Sequence, residues 1–400
     1  MKPSPLAERL ADLAVVVGAN VQPDQIVTIT AEIGLEDVVR AIAVRAYRQG
    51  AKFVDVTYYD PQVKRARIER ADGDTLDFVP PWYGERVLEL GRCHSARIAV
   101  AATADPHAMQ GLDPERLGRD QLPAIPEWMA VLSDHTVNWT IVPYPTMGWA
   151  RLCHPELDDQ AAFDRLSRDI DHICRLDEPD PGAAWRARIA ELAAVGARLN
   201  ALGLDALHYE GPGTDLTIGL LPSSSWIGGL STTVEGLEHL PNLPTEEVFT
   251  TPDPTRAEGR VRSTKPLVLV DGSIIRGLEV RFEGGRAVEI DAEEGAEVIR
   301  ARTARDEGAA RLGEVALVDR ESRIGQLGTV FYETLLDENA ASHIALGSAY
   351  EEAVAEEDLP RINRSVIHID FMIGGDDVDV TGISRGGDRI PVLRSAAWQI

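Results

Sequence analysis

Two residues that can bind metal ions, His368 and Asp370, lie in an otherwise apolar run, SVIHIDFMIG. The run predicts a β-strand, and the two-residue period of a strand puts both side chains on one face. Burying them there without partners costs several kcal/mol, about 2–7 for a neutral polar group. A divalent cation would offset that cost, because imidazole and carboxylate are usual ligands of zinc, cobalt and manganese. A hydrogen-bonded His–Asp pair facing solvent on a one-sided sheet is the alternative.

Two further stretches carry residues of the same chemistry. Glu314 stands at the head of the β-like run in RLGEVALVD, where a carboxylate is often only a rim residue. His343 and Tyr350 are seven residues apart, so a helix would place both on one face. Gly347 between them makes an extended or irregular path equally compatible with the sequence. Each residue taken alone is also compatible with ordinary packing.

A pair of adjacent glutamates, Glu246 and Glu247, follows Pro244 in NLPTEEVFTTP. In an extended segment they face opposite sides, so only one can point inward, and most such pairs are solvated. The combined set holds two glutamates, two histidines, an aspartate and a tyrosine between residues 246 and 370. This exceeds what one tetrahedral zinc needs and suits two ions bridged by a carboxylate and a water, the arrangement of two-metal hydrolysis.

The composition narrows the classes of partner and compartment. Forty Lys+Arg against 65 Asp+Glu give a formal net charge of -25, which disfavours nucleic acid and anionic membranes as partners. Three cysteines without a CxxC pair favour a reducing compartment. The N-terminus lacks a signal-peptide core, and no run approaches the ~18 apolar residues of a membrane span. We therefore expect a cytoplasmic protein whose partners are small solutes, peptides or cations.

The elements that must position these residues change character along the 400-residue chain. In the first half, helical patterns such as 35–49 alternate with β-rich runs such as 25–30 and 52–58, which predicts a doubly wound α/β fold. The second half has short alternating runs with DG and GG turn signals, which predict antiparallel hairpins. We therefore predict two domains, an α/β domain over 1–203 and a mainly antiparallel β, metal-binding catalytic domain over 204–400.

The second half also resembles a known family, the aminopeptidase T and aminopeptidase S family of thermophilic and bacterial metallo-aminopeptidases. Its blocks occur in family order and are NLPTEEVFTTP, EGRVRSTKPLV, DEGAARLGEVALV, FYETLLDENAASHIALGSAY and HIDFMIGGDDVDVTGI. The resemblance implies two divalent metal ions (Zn, Co or Mn) and the ligands Glu247, Glu314, His343, Tyr350, His368 and Asp370. Glu246 is the second choice for the first ligand. The resemblance also implies a homodimer that encloses the active sites in an internal cavity.

The activity implied is removal of N-terminal residues from peptides with a free N-terminus, by two-metal-activated water attack. Tyr350, as ligand or nearby donor, could stabilise the oxyanion. The general base stays unassigned, with Glu246 among the candidates. Lys265 in STKP could bind a peptide carbonyl or C-terminal carboxylate, or be a surface lysine. The stretch from Tyr350 to His368 is shorter than in the family, which predicts a trimmed surface loop.

Two other functions are compatible with parts of this pattern. Two histidines and one carboxylate suit non-haem iron, so a ring-cleaving dioxygenase related to dihydroxypyridine dioxygenases is the enzymatic alternative. The complete glutamate blocks around Glu247 and Glu314 favour two metals instead. A cation- or peptide-binding protein without turnover is the non-enzymatic alternative.

Overall fold

The structure is a computed structural model that describes residues 3–102, 105, 107–120, 122, 125–269 and 273–400. The chain divides into two compact units. The first contains Met1–Arg186 and Leu230–Pro244, and the second contains Ala187–Gly229 and Thr245–Ile400. Within the described residues, no helix is both long and apolar enough to cross a membrane. The domain ranges 1–203 and 204–400 stay a prediction.

Helices and strands follow one another along the whole chain. The α-helices of the described residues are α1 (Pro5–Leu13), α2 (Glu36–Gln49), α3 (Pro61–Arg70), α4 (Pro81–Arg92), α5 (Pro114–Arg119), α6 (Pro126–Ser133), α7 (Met147–Cys153), α8 (Asp159–Ile173), α9 (Pro181–Ala201), α10 (Ala296–Thr303), α11 (Arg323–Leu327) and α12 (Thr334–Glu338). The strands are β1 (Ile26–Glu32), β2 (Phe53–Tyr59), β3 (Ala96–Ala101), β4 (Asn138–Pro143), β5 (Leu204–Gly211), β6 (Thr214–Leu220), β7 (Ser231–Thr232), β8 (Glu238–His239), β9 (Glu247–Thr250), β10 (Pro252–Arg262), β11 (Leu267–Val268), β12 (Ile274–Ile275), β13 (Glu279–Glu283), β14 (Arg286–Asp291), β15 (Leu312–Val318), β16 (His343–Gly347), β17 (His368–Met372), β18 (Asp379–Ser384), β19 (Arg389–Arg394) and β20 (Ala397–Trp398).

The first unit contains a parallel sheet of four strands in the order β2-β1-β3-β4. Strands β1 and β2 overlap the β-rich runs predicted at 25–30 and 52–58, and each begins one residue later than predicted. Helix α2 covers the helical pattern predicted at 35–49 and ends where Gly50 takes a left-handed φ of 101°, a conformation that glycine adopts without a steric penalty. The α/β class predicted for this half is confirmed.

The second unit is built on antiparallel sheets. Eight strands pair in the order β14-β13-β10-β6-β5-β18-β19-β20, and four pair in the order β17-β16-β15-β9. The GG hairpin is β13 and β14, joined by Gly284 and Gly285, both with positive φ. The predicted DG hairpin corresponds to β11 and β12, but its turn residues Asp271 and Gly272 lie outside the described residues. The mainly antiparallel β class of this half is confirmed.

One face of the four-stranded sheet belongs to the core of the second unit. The side chains on that face are fully buried in one hydrophobic cluster and include Val248, Val315, Leu317, Ile344 and Phe371. Burying them stabilises the unit, because a fully buried Val, Leu, Ile or Phe contributes about 1.5–3 kcal/mol. The alternation of a strand sends the residues between them to the opposite face.

Candidate metal centre

The opposite face of the four-stranded sheet carries three of the predicted ligands on β15 and β17. Glu314 pairs with Ala345 of β16, and Ala345 pairs with Asp370 of β17. Two residues further along the same two strands, Gly347 pairs with His368. Directly opposed residues of antiparallel strands point to the same side. Glu314, His368 and Asp370 therefore share a face, with only alanine and glycine on the strand between them.

Two more predicted ligands reach this face from β9 and from the start of β16. Glu247 pairs with Val318, and His343 pairs with Ala316. Val318, Ala316 and Glu314 are alternate residues of β15, so they point to the same side. His343 Nε2 lies 3.1 Å from Glu247 Oε2, although β15 runs between their strands. The methyl group of Ala316 leaves room for the two longer side chains to meet.

The five side chains form two overlapping groups. Ligand atoms of Glu247, Glu314 and His343 all lie within 4.8 Å of one another, and so do those of Glu314, His368 and Asp370. In the second group, His368 Nε2 is 3.2 Å from Glu314 Oε2 and 3.2 Å from Asp370 Oδ1. Glu314 belongs to both groups. This arrangement can hold two cations with one bridging carboxylate.

Both imidazole rings are oriented by backbone carbonyl groups. His343 Nδ1 is 3.3 Å from the carbonyl oxygen of Ala341, and His368 Nδ1 is 2.8 Å from that of Ser348. A carbonyl accepts only, so each Nδ1 carries the proton and donates. In the neutral ring the lone pair is then on Nε2, which faces the carboxylates. Metal-binding histidines are commonly fixed in this way.

Unpartnered carboxylate oxygens indicate that the site is built for a cation. Glu247 Oε2 and Asp370 Oδ1 are buried, and Nε2 of His343 and of His368 lies 3.1 and 3.2 Å from them, respectively. With the ring proton on Nδ1, neither Nε2 donates a hydrogen bond to these oxygens. A buried charge in that situation is costly unless it is paired or binds a metal. Oxygen and imidazole nitrogen without thiolate suit zinc, cobalt or manganese. The residues present therefore fit divalent metal ions.

The pKa values of the predicted ligand residues also indicate that positive charge is favoured at this site. Burial alone would lower the pKa of His343, but Glu247 and its neighbours raise that pKa well above the ordinary value. Burial would also lower the pKa of His368, but Asp370 outweighs this effect and raises that pKa well above the ordinary value. For the carboxyl group of Glu314, burial raises the pKa, and the nearby negative charge of Asp370 raises it further. Positive charge between these carboxylates is favoured.

Tyr350, the sixth predicted residue, lies beside the second group. β16 ends at Gly347, and the chain continues irregularly, so the helical path considered for His343 and Tyr350 is wrong. Tyr350 is 40% exposed, and its ring centroid is 5.2 Å from that of His368. Desolvation of its hydroxyl, with the charge of Glu314, raises the pKa of Tyr350 well above the ordinary value. The phenol therefore stays protonated at neutral pH.

Glu338 is a further acidic residue at this site and is not among the residues predicted from the sequence. It is the last residue of α12, and α12 packs against β17. Burial, followed by the charges of Asp370 and Glu247, raises the pKa of Glu338 well above the ordinary value. Its side chain is outside both groups of ligand atoms. The sequence signal was an acidic residue five positions before His343, at the end of an apolar helical stretch.

Glu246 faces away from the side of the four-stranded sheet that carries the five predicted ligands, which we call the metal-ligand face. It is fully buried, and Arg188 Nε donates to its Oε2 at 2.7 Å. Arg188, itself buried, also donates to Asp319 at 3.0 Å. The backbone N–H of Glu246 donates to the side chain of Asn339, the residue after Glu338. This ion cluster ties the start of β9 to the ends of β15 and α12.

Lys265 is half-buried close to the ligand-bearing strand. The backbone N–H of its neighbour Thr264 donates to the carbonyl of Met372, the last residue of β17. The ammonium group of Lys265 lowers the pKa of Asp337, although burial is the larger effect and raises that pKa to about 7. A role for Lys265 in binding substrate stays a prediction.

Comparison with known proteins covers the chain from end to end. A family model described as thermophilic metalloprotease (M29) matches residues 4–398. Aminopeptidase T of Thermus aquaticus is 44% identical over 401 residues, which cover 98% of each chain. Aminopeptidase AmpS of Bacillus subtilis (strain 168) is 37% identical over 399 residues, covering 97% of each chain.

A solved structure, wild-type AmpT from Thermus thermophilus, covers 99% of both chains with a TM-score of 0.92 and 43% identity. Fold and sequence agree over the full length, and the resemblance seen in the sequence blocks is confirmed. The chain therefore belongs to the thermophilic metalloprotease (M29) family and is a peptide-bond hydrolase.

Proposed function

We propose that the protein is an aminopeptidase that removes N-terminal residues from peptides with two divalent metal ions, zinc, cobalt or manganese. The observation that carries the proposal is the pair of overlapping ligand groups that share Glu314. The proposed ligands are Glu247, Glu314 and His343 for one ion and Glu314, His368 and Asp370 for the other. Tyr350 completes the site as a ligand or as a hydrogen-bond donor.

The residues around the ions would divide the chemistry between them. Two divalent ions would lower the pKa of an attacking water towards about 7 and polarise the scissile carbonyl. The Tyr350 hydroxyl would donate a hydrogen bond to the oxyanion that develops there. Its raised pKa supports this role, because a phenol must keep its proton to donate.

Glu338 is the residue we assign as general base. A base needs a carboxylate that metal does not saturate, and Glu338 lies beside the two ligand groups without belonging to either. Burial beside the ligand groups raises the pKa of Glu338, which makes its carboxylate a stronger base than that of an exposed glutamate. Glu246 is unsuited, because its carboxylate is buried in an ion pair with Arg188.

Peptides with a free N-terminus are the proposed substrates. The relatives named aminopeptidase T and aminopeptidase AmpS support this class. The dioxygenase alternative has no support from the relatives.

We further propose that the enzyme acts in the cytoplasm as a homodimer. Its three cysteines form no disulfide, which agrees with a reducing compartment. Family resemblance supports the dimer. Light scattering during size-exclusion chromatography should give twice the mass of one chain, and the mass of a single chain would contradict the dimer.

Hydrolysis of leucine p-nitroanilide tests the proposed activity. The enzyme should cleave this substrate, lose activity on dialysis against a chelator, and regain it with zinc, cobalt or manganese. N-acetyl-leucine p-nitroanilide is the matched control, since it lacks the free amine and should not be cleaved. Equal cleavage of both substrates, or cleavage of neither, would refute the aminopeptidase proposal.

A further inference from the structure

An aromatic side chain lies on the metal-ligand face just beyond the proposed ligands. Phe249 follows Glu247 by two residues on β9, so both side chains point to the same side. Phe249 pairs with Ala316, and Ala316 pairs with His343. Neighbouring strands are about 4.8 Å apart, which puts the Cα atoms of Phe249 and His343 roughly 10 Å apart. Across these three neighbouring strands, only the methyl group of Ala316 lies between the side chains of Phe249 and His343.

Ile227 lies next to Phe249 and adds a second apolar side chain to this face. Its N–H donates to the carbonyl of Phe249 at 2.9 Å, and its carbonyl accepts from the N–H of Phe249 at 2.9 Å. Residues that exchange both bonds in an antiparallel pair lie directly opposite, with their side chains on the same side. Both side chains are only half-buried. They offer accessible apolar area on the metal-ligand face.

Tyr350 connects this area to the proposed ligands. Its ring centroid is 5.2 Å from the Phe249 ring and 5.2 Å from the His368 ring. Tyr350 is also 40% exposed. Ile227, Phe249 and Tyr350 thus form a continuous surface that starts at a proposed ligand, and we name these three residues the apolar strip. None of them carries a charge at neutral pH.

We propose that the apolar strip binds the side chain of the substrate's N-terminal residue and makes the enzyme select large apolar side chains. The inference rests on the proposed aminopeptidase function. When the α-amine and scissile carbonyl are held at the ligand groups, the Cα between them lies over the same face of the sheet. The side chain on that Cα then contacts the surface next to the ligand groups, and the apolar strip is an uncharged surface there. Removing apolar area from water contributes about 25 cal/mol per Å².

Selectivity between p-nitroanilides tests this inference. We would measure kcat/KM of the metal-loaded enzyme for leucine, phenylalanine and alanine p-nitroanilide in wild type, Phe249→Ala and Ile227→Ala. Loss of apolar contact should lower kcat/KM for leucine and phenylalanine about tenfold or more, while alanine changes less than about threefold. Phe249→Leu should restore most of the selectivity. Phe78→Ala, an exposed phenylalanine of the first unit, is the matched control and should match wild type.

The outcomes separate the two proposals. Equal losses on all three substrates, or no change in selectivity in either alanine variant, would overturn the role of the strip while leaving the aminopeptidase proposal standing. Failure of the wild-type enzyme to cleave any of the substrates would instead overturn the aminopeptidase proposal. Metal content measured for each variant confirms that the ligand groups are intact. Ile227→Ala serves where Phe249→Ala folds poorly, since Ile227 lies at the far end of the strip.

Discussion

His343 Nε2 and Glu247 Oε2 approach to 3.1 Å across an intervening strand, and the residue of that strand paired with His343 is Ala316. A larger side chain at residue 316 would occupy the space in which they meet. The small residues of β15 and β16 are therefore as much a part of the site as the proposed ligands.

Replacing Ala316 by valine should weaken metal binding. The added methyl groups crowd His343 and Phe249, and disturbing the surroundings of a metal ligand typically costs about 10- to 100-fold in affinity. Ala316→Gly is the matched control, because it alters the same buried position without filling the space. Calorimetric titration of metal into both variants checks this, and wild-type affinity in Ala316→Val would show that the space is not needed.

Replacing Arg188 by methionine should destabilise the second unit. The change leaves Glu246 and Asp319 buried without their shared cation, and breaking a buried pair in this way costs about 3–5 kcal/mol. The free energy of unfolding in guanidinium chloride measures the loss. Arg256→Met is the control, since Arg256 and Asp205 are 43% and 40% exposed and such pairs contribute about 0–1 kcal/mol. Equal losses in the two variants would contradict a buried ion cluster.

Replacing Glu338 by glutamine should lower kcat by about 10²- to 10⁴-fold, the usual contribution of general base catalysis. Bound metal should remain, because Glu338 is outside the proposed ligand groups. Glu321→Gln, at an exposed glutamate of the second unit, should stay within about threefold of wild type. Full activity of Glu338→Gln would exclude the base assignment, and loss of metal would make Glu338 a ligand instead.

His239, in the first unit, should make stability depend on pH. Burial next to Trp139 lowers the pKa of His239 to about 4, against about 6.5 for an unfolded histidine. The folded chain prefers the neutral ring, so this stability is present above pH 6.5 and is lost as pH falls towards 4. Between pH 7.5 and 5.0 the loss is about 2 kcal/mol.

His239→Phe should remove that part of the pH dependence. The free energy of unfolding at pH 7.5 and pH 5.0 gives the comparison, with His208→Asn as control because His208 is paired with the exposed Asp215. An unchanged difference between the two pH values in His239→Phe would refute the assignment to this residue.

Local pattern predicts much of the fold, and the family resemblance supplies the full set of predicted ligands. Alternation in HIDFM puts His368 and Asp370 together whatever the rest of the chain does. The same rule shows that Glu246 and Glu247 face opposite sides. To decide which of the two faces the predicted ligands, the partner of each glutamate must be known. The partner of Glu246 is Arg188, which lies 58 residues away in the sequence.

Other features depend on register between distant strands, which local pattern does not specify. The pairing of Ala316 with Phe249 and His343 brings three separate segments together. Ile227 meets Phe249 through an isolated bridge outside any strand pattern. Glu338 ends a helix of only five residues, too short for a clear periodic signal, so its position beside the ligands emerges only from packing against β17.

Anomalous diffraction from crystals loaded with zinc, cobalt or manganese tests the two-metal centre most directly. We expect two peaks per chain, one within coordinating distance of Glu247, Glu314 and His343 and the other within that distance of Glu314, His368 and Asp370. Elemental analysis of the same protein should give two ions per chain. A single peak, or two peaks that do not share Glu314, would contradict the proposed centre.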